Sequence, residues 1–168
     1  MEKYLSAPSR EWLLSRPKPQ RICRRRVPAT LDDLTLGDLF TLQNASGGRG
    51  ITVAIAKVLL NVSEQEIMQA PADQVFGLVL WVGKEIERIN KLFDSVKDDP
   101  SPEEVQAGVK DLKFGLFGIL DWYAARQGIS DQNEVLKVKW VRIYKCMDID
   151  TQRNSYARRL RDILNKKK

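Results

Sequence analysis

The side chains that most often carry enzymatic chemistry are scarce in this 168-residue chain. It contains no histidine, the commonest general base and the commonest metal ligand of proteins. The two cysteines, Cys23 and Cys146, stand in unlike contexts. Two cysteines without histidine cannot complete a structural zinc site. We therefore expect two free thiols, no catalytic residue, no metal site and no cofactor.

The remaining candidates for chemistry have simpler explanations. Carboxylates are paired at Asp98-Asp99 and Glu103-Glu104, where they flank a predicted helix start and suit the helix dipole. A further pair stands at Asp32-Asp33. The glycine cluster Gly47-Gly-Arg-Gly50 lacks the Lys-Ser/Thr that follows a phosphate-binding loop. We interpret it as a flexible loop, and the sequence as that of a protein that is not an enzyme.

Charge is distributed unevenly along the chain. Residues 1–30 hold eight Lys or Arg and two acids, for a net charge of +6. Residues 31–134 hold nine and seventeen, for −8, and residues 135–168 hold eleven and three, for +8. An acidic body between basic ends indicates either an anionic partner or pairing of the ends with an acidic protein surface.

The first 34 residues are predicted to form an extended basic arm, because four prolines interrupt any long helix. Two features of the arm are candidates for partner binding. One is the apolar anchor Trp12-Leu13-Leu14, and the other is the arginine cluster Arg24, Arg25 and Arg26. At the other end of the chain, Arg158, Arg159 and Arg161 form a second candidate cluster.

Residues 35–168 are predicted to form a single helical domain. Helix starts are indicated at Thr35, Ser63 and Ser101, each followed three residues later by an acid, as in a capping box. A buried helix is favoured over a strand for residues 51–62. Apolar residues at three- and four-residue steps predict long helices over about 71–96 and 101–127, the second ended by Gly128.

A fourth long segment is predicted from Ser130, helical rather than extended, with a break at residues 148–150 before a basic helix over 151–164. Within these stripes we expect Val79, Ile86, Leu116 and Trp140 to be buried. Mid-helix glycines at 77, 115 and 118 are expected to mark close helix–helix approach. The predicted fold is thus all-α, a compact bundle of four to five main helices with the basic arm and a basic C-terminal helix.

The chain resembles small virion or assembly proteins of tailed bacteriophages. The resemblance lies in the opening Thr35-Leu-Gly-Asp-Leu-Phe40, and in Asp121-Trp-Tyr-Ala-Ala-Arg-Gln-Gly128 and Val141-Arg-Ile-Tyr-Lys-Cys146, which are similar to parts of crAss-like phage structural proteins. It implies a virion, portal, tail-associated or cargo component, or a tail assembly chaperone. It carries over no functional residue.

We therefore expect a non-enzymatic structural or assembly protein that contacts other protein subunits in a homo- or hetero-oligomer. The alternative is a basic helical nucleic-acid-binding protein, since its basic ends suit phosphates. No apolar leader or spanning stretch stands out, so we expect no membrane partner, no small-molecule substrate, and a location in the cytoplasm of the producing cell or in a virion.

Overall fold

Helices dominate the structure, which agrees with the all-α prediction. The computed structural model describes residues 15–97 and 100–166. Within them lie seven α-helices, three of which exceed ten residues, against the four or five main helices predicted. They are α1 Leu36–Asn44, α2 Gly48–Ile55, α3 Glu64–Met68, α4 Ala72–Ser95, α5 Pro102–Gln106, α6 Gly115–Gln127 and α7 Trp140–Asn165.

Shorter elements join these helices. A π-helical turn, Ala56–Leu60, continues α2, and 3₁₀ turns cover Val109–Asp111 and Gln132–Lys137. The one sheet of the described chain is a hairpin of β1 Arg21–Ile22 and β2 Arg25–Arg26, paired antiparallel. None of the described helices has the length and apolar character needed to cross a membrane.

The chain divides into two compact units. Among the described residues, unit 1 contains residues 15–31 and 38–88, and unit 2 contains residues 32–37, 89–97 and 100–166. The division falls inside α1 and inside α4. The sequence-based boundary between residues 34 and 35 lies within the first segment of unit 2.

Unit 1 includes the described part of the predicted arm, which is folded. Ile22, Val27 and Leu31 are buried, and the backbone N–H of Leu31 donates a hydrogen bond to Glu85 of α4, 3.1 Å away. The remaining core side chains come from α1 to α4, the π-helical turn and the loop after that turn: Leu39, Leu42, Ile55, Ala56, Leu60, Val62, Ile67, Leu78 and Val82. Residues 15–31 of the predicted arm therefore pack against their own unit, and residues 1–14 lie outside the described residues.

Unit 2 is organised around the first half of α7. Trp140 and Ile143 are fully buried, and the Trp140 ring lies 6.0 Å from Phe93, which also contacts Tyr144. Residues 34–36 run beside the start of α7, where the N–H of Leu36 donates to the carbonyl of Val138. This short extended contact includes an isolated bridge between Thr35 and Lys139, so the segment predicted to be helical from Ser130 forms a 3₁₀ turn over Gln132–Lys137 and is extended at residues 138–139 before α7 begins.

Several helix boundaries are confirmed. Ser63 and Ser101 each form a complete capping box with a glutamate three residues later. The long helix predicted over residues 71–96 is α4, and Gly128 ends α6 in the left-handed conformation. Residues 51–62 are mainly helical, as favoured. The helix begins earlier than expected, because Gly48 and Gly50 of the predicted loop form its first turn.

The helix predicted over residues 101–127 is wrong in its first half. Gly108 and Gly115 both adopt positive φ, 85° and 55°, a conformation that the interior of an α-helix does not accommodate, so no helix runs through Gly108 and α6 begins only at Gly115. Only α5 and α6 are α-helical, and Leu112 and Phe114 lie exposed between them. The apolar residues keep their helical spacing across both glycines, so the sequence pattern did not indicate these two breaks.

The last helix also differs from its prediction. No break occurs at residues 148–150, and α7 runs without interruption from Trp140 to Asn165. Asp150 lies inside the helix and forms an ion pair with Arg126 of α6. The Asp150 side chain therefore stabilises the contact between α6 and α7 and does not mark a helix end.

Burial follows the predicted stripes only in part. Trp140 is buried as expected, whereas Val79, Ile86 and Leu116 are half-buried. The glycines do not mark helix–helix contacts either. Gly77 faces the backbone of Pro17, Gly115 has open space around it, and Gly118 faces the Phe114 side chain of the preceding turn.

Candidate functional site

The arginine cluster of residues 24–26 lies on the tight hairpin of unit 1. Cys23 and Arg24 occupy the two turn positions with φ of 47° and 60°, the pattern of a type I′ turn, which favours Asn-Gly. The side chains of Arg24, Arg25 and Arg26 are exposed. The hairpin therefore presents a dense positive charge to solvent.

Contacts with α3 hold this turn in place. The Cys23 thiol donates a hydrogen bond to the carbonyl of Glu66 at 3.4 Å. Desolvation, with a smaller contribution from the Glu66 carboxylate, raises the pKa of the Cys23 thiol above 9.0. A raised pKa leaves less thiolate at neutral pH, so the geometry does not favour a nucleophilic role.

The described residues show no cluster of acids and cysteines that could hold a metal ion. Gly47-Gly-Arg-Gly50 has a structural role, since Arg49 forms an ion pair with Glu64 at 2.5 Å. Asp121 accepts a hydrogen bond from Gln132 at 3.2 Å, while its neighbour Tyr123 is buried. The glycine cluster and the segment that begins at Asp121 therefore have structural roles in the fold.

The second arginine cluster lies on the outer half of α7, in unit 2. Arg158 is half-buried and lies 3.8 Å from Glu104, so it contacts its own unit. Arg159 and Arg161 are exposed. The two arginine clusters belong to different units. The third candidate, Trp12-Leu13-Leu14, lies outside the described residues.

The structure reveals two apolar surfaces that the sequence interpretation missed, both on unit 2. The first is a groove of about 590 Å³ between α6 and α7, here called the α6–α7 groove. Its apolar lining includes Val96, Phe114, Ile119, Trp122 and Met147. The neighbouring Phe117 is 62% exposed and Leu112 is 58% exposed. Leu112 and Ile119 belong to the apolar stripe of the helix predicted over residues 101–127, whereas the sequence did not indicate Phe114, Phe117 or Trp122 as a surface.

The second surface, here called the outer stripe, runs along the outer half of α7. It comprises Ile149, Tyr156, Leu160, Ile163 and Leu164, all exposed. At about 100° per residue, these five side chains fall within an arc of about 100°. Their four- and seven-residue spacing was visible in the sequence, where the arginines of the same segment drew attention instead.

The outer stripe points away from the rest of unit 2. Thr151 and Arg158 lie on the opposite side of α7, and both contact the unit. The Thr151 hydroxyl donates a 2.6 Å hydrogen bond to the carbonyl of Val96, and Arg158 faces Glu104. Where this half of the helix contacts unit 2, at Thr151 and Arg158, the contacting side chains are polar, and residues 159–166 are exposed on every side of the helix.

Comparisons with protein-family models, with curated proteins and with solved structures found no match.

Proposed function

We propose that this chain is a non-enzymatic structural or assembly protein that acts through contacts with other protein subunits. The observation that carries the proposal is the outer stripe of α7, where Tyr156, Leu160 and Ile163 face solvent while Thr151 and Arg158 make the contacts with unit 2. Contiguous exposed apolar surface is uncommon on monomeric soluble proteins and marks interaction sites. A helix that keeps its polar face on its own unit leaves the apolar face for a partner.

The resemblance of three segments to phage structural proteins supports the same class of function. A virion, portal, tail-associated or cargo component, or a tail assembly chaperone, works by binding neighbouring subunits. We place the protein in this group as part of the proposal, with the cytoplasm of the producing cell or the virion as its location.

Site-specific photo-crosslinking tests the proposal in the cells that make the protein. A benzoylphenylalanine introduced at Tyr156 should form a protein adduct, whereas the same group at exposed Lys57 of α2's π-helical continuation should not. Adding Leu160→Glu and Ile163→Glu to the protein that carries the crosslinker at residue 156 should abolish the adduct, because both changes charge the stripe. An adduct that forms equally at both positions, or none at Tyr156, would overturn the proposal.

A second function, nucleic-acid binding, is favoured by one specific observation: the hairpin displays three consecutive exposed arginines, Arg24, Arg25 and Arg26. The test is binding of labelled duplex DNA at several salt concentrations. If the arginines neutralise phosphates, replacing all three with Glu should weaken binding of any sequence. The slope of log affinity against log salt should then flatten by about 0.9 for each phosphate that is no longer neutralised. Binding that is weak from the start and unaffected by the change would leave protein contact as the function.

A further inference from the structure

The outer stripe of α7 has the spacing of a coiled-coil seam. Residues 149, 153, 156, 160 and 163 follow one another at steps of four and three, which is the a/d repeat of a helix that packs against another helix. Four of these positions are the exposed apolar residues Ile149, Tyr156, Leu160 and Ile163. The fifth is Arg153, which is also exposed.

The charges beside the seam are basic. Arg153 lies within it and Arg159 beside it, and neither forms an ion pair within the described residues. Two acids occur between residues 149 and 166, Asp150 and Asp162. Asp150 is already paired with Arg126, and Asp162 projects from the far side of the helix at about 100° per residue. Acids that neutralise this seam must therefore come from its partner.

A second copy of the same helix fits this seam poorly. In a parallel pair, Arg153 of one copy would face Arg153 of the other, which places two guanidinium groups in a desolvated contact. In an antiparallel pair the flanks of both helices would still be basic. Like charges beside a coiled-coil seam disfavour pairing and set partner choice.

A membrane surface fits less well than a helix. Interfacial helices present a broad apolar face, often with Trp or Phe, to the headgroup region. The apolar a and d positions of the outer stripe, at residues 149, 156, 160 and 163, fall within an arc of about 60° at about 100° per residue, the narrow face of a helix–helix seam. It contains neither Trp nor Phe, and Arg153 interrupts it.

We propose that the outer stripe of α7 binds an acidic amphipathic helix of another protein. The partner's Leu or Ile residues would cover Tyr156, Leu160 and Ile163, and its Glu or Asp residues would face Arg153 and Arg159. This inference rests on the proposed assembly function and specifies the chemistry of the partner.

The probe for the test is a designed four-heptad peptide with Leu at a and d and Glu at e and g. Fluorescence anisotropy of the labelled peptide measures its binding to the full chain. The matched control peptide carries Lys at e and g. Binding of the Glu peptide alone is expected, and it should weaken as salt screens the flanking pairs.

Variants of the protein assign the binding to the stripe. Leu160→Glu with Ile163→Glu should weaken peptide binding by about tenfold or more, because two apolar side chains no longer pack against the peptide. Leu112→Glu with Phe117→Glu makes the same kind of change at the edge of the α6–α7 groove and should have no effect. Arg159→Glu should weaken binding, whereas Lys113→Glu should not. Circular dichroism checks that each variant keeps its helical content.

Four results would overturn the inference. These are equal binding of the Lys peptide, loss of binding only in the groove variant, self-association through the stripe in sedimentation experiments, and a preference for phosphatidylserine vesicles over the peptide. The peptide failing while the Tyr156 crosslink succeeds would reject the acidic helix and leave the assembly function standing. If the Tyr156 crosslink fails while the Glu peptide binds, the proposed assembly function in the cell is rejected. Binding of the peptide then still shows the preference of the outer stripe for acidic flanking residues.

Discussion

The backbone carbonyl of Pro17 lies against Gly77 of α4, in the space that a side chain at residue 77 would occupy. Within unit 1, the segment before the hairpin therefore packs against α4 at a position where no side chain larger than hydrogen fits. The Nζ of Lys18, which follows Pro17, lies 4.1 Å from the centroid of the Trp81 ring. Trp81 is one turn after Gly77 in α4. These two contacts fix the start of the described chain on α4.

Gly77→Ala is predicted to destabilise the protein by about 1–3 kcal/mol, because the new methyl group overpacks against the Pro17 carbonyl. The helix-propensity gain of up to about 1 kcal/mol offsets only part of this cost. Gly83→Ala is the matched control in α4, since nothing lies within 4 Å of its added Cβ, and it should be neutral or stabilising. Urea denaturation measures both. A more stable Gly77→Ala protein would show that Pro17 does not pack there.

Two isoleucines of α7 provide a comparison of burial within one helix. Ile143 is 0% exposed and Ile163 is 53% exposed. Ile143→Ala should lower the free energy of unfolding by about 2–5 kcal/mol, as expected for truncation in a packed core. Ile163→Ala should lower it by less than about 0.5 kcal/mol and should instead weaken partner binding. Equal losses of stability would mean that the outer stripe is covered within the chain.

The sequence could predict some elements of the fold and not others. Helical periodicity and capping boxes located α3, α4 and the start of α5, because those signals are local. The same periodicity could not reveal that Gly108 and Gly115 adopt positive φ, since glycine is also tolerated within helices. Nor could it tell which face of α7 contacts the unit, because that depends on Val96 and Glu104, which are distant in sequence.

The candidate site was predictable only as a set of charges. The arginines at 24–26 and at 158–161 stood out by their density, although the hairpin that presents the first set did not. The residues that now carry the proposed function, Tyr156, Leu160 and Ile163, have an apolar spacing that sequence alone assigns to a core. Their exposure follows from Thr151 and Arg158 taking the inward positions.

Arg24→Gly is predicted to stabilise the hairpin of unit 1. Arg24 holds φ of 60°, a left-handed conformation that costs a side-chain-bearing residue about 1–2 kcal/mol and glycine almost nothing. The gain should be about 1 kcal/mol or less, because glycine also loses more entropy on folding. Arg25→Gly removes the same charge from a strand position and should be destabilising. Thermal denaturation separates the two, and a loss of stability at both positions would contradict the turn assignment.

The capping box of α3 predicts a dependence of stability on acid. The Ser63 backbone N–H and hydroxyl donate to Glu66, and these bonds lower the pKa of that carboxyl below 4.5. The unfolded chain then binds the proton more readily, so the contribution is complete above pH 4.5 and is lost as pH falls through the lower folded value.

Glu66→Gln should therefore reduce the difference in melting temperature between neutral pH and pH below 4.5. Ser63→Ala should reduce it as well, because it removes the hydroxyl that favours the ionised carboxylate. An unchanged difference in both variants would show that Glu66 does not contribute to acid unfolding.

The unbroken course of α7 affects the thermodynamics of recognition. Trp140 and Ile143 anchor the first turns in the core, and about twenty further residues continue the helix from that nucleus, so the outer half is helical before any partner arrives. Association then orders side chains but not backbone. A disordered segment would lose backbone entropy on binding, about 1–2 kcal/mol for each residue fixed. In α7 this loss has already occurred during folding. Binding at Ile163 should thus show little change in helical content and a heat-capacity change set by the buried apolar area alone.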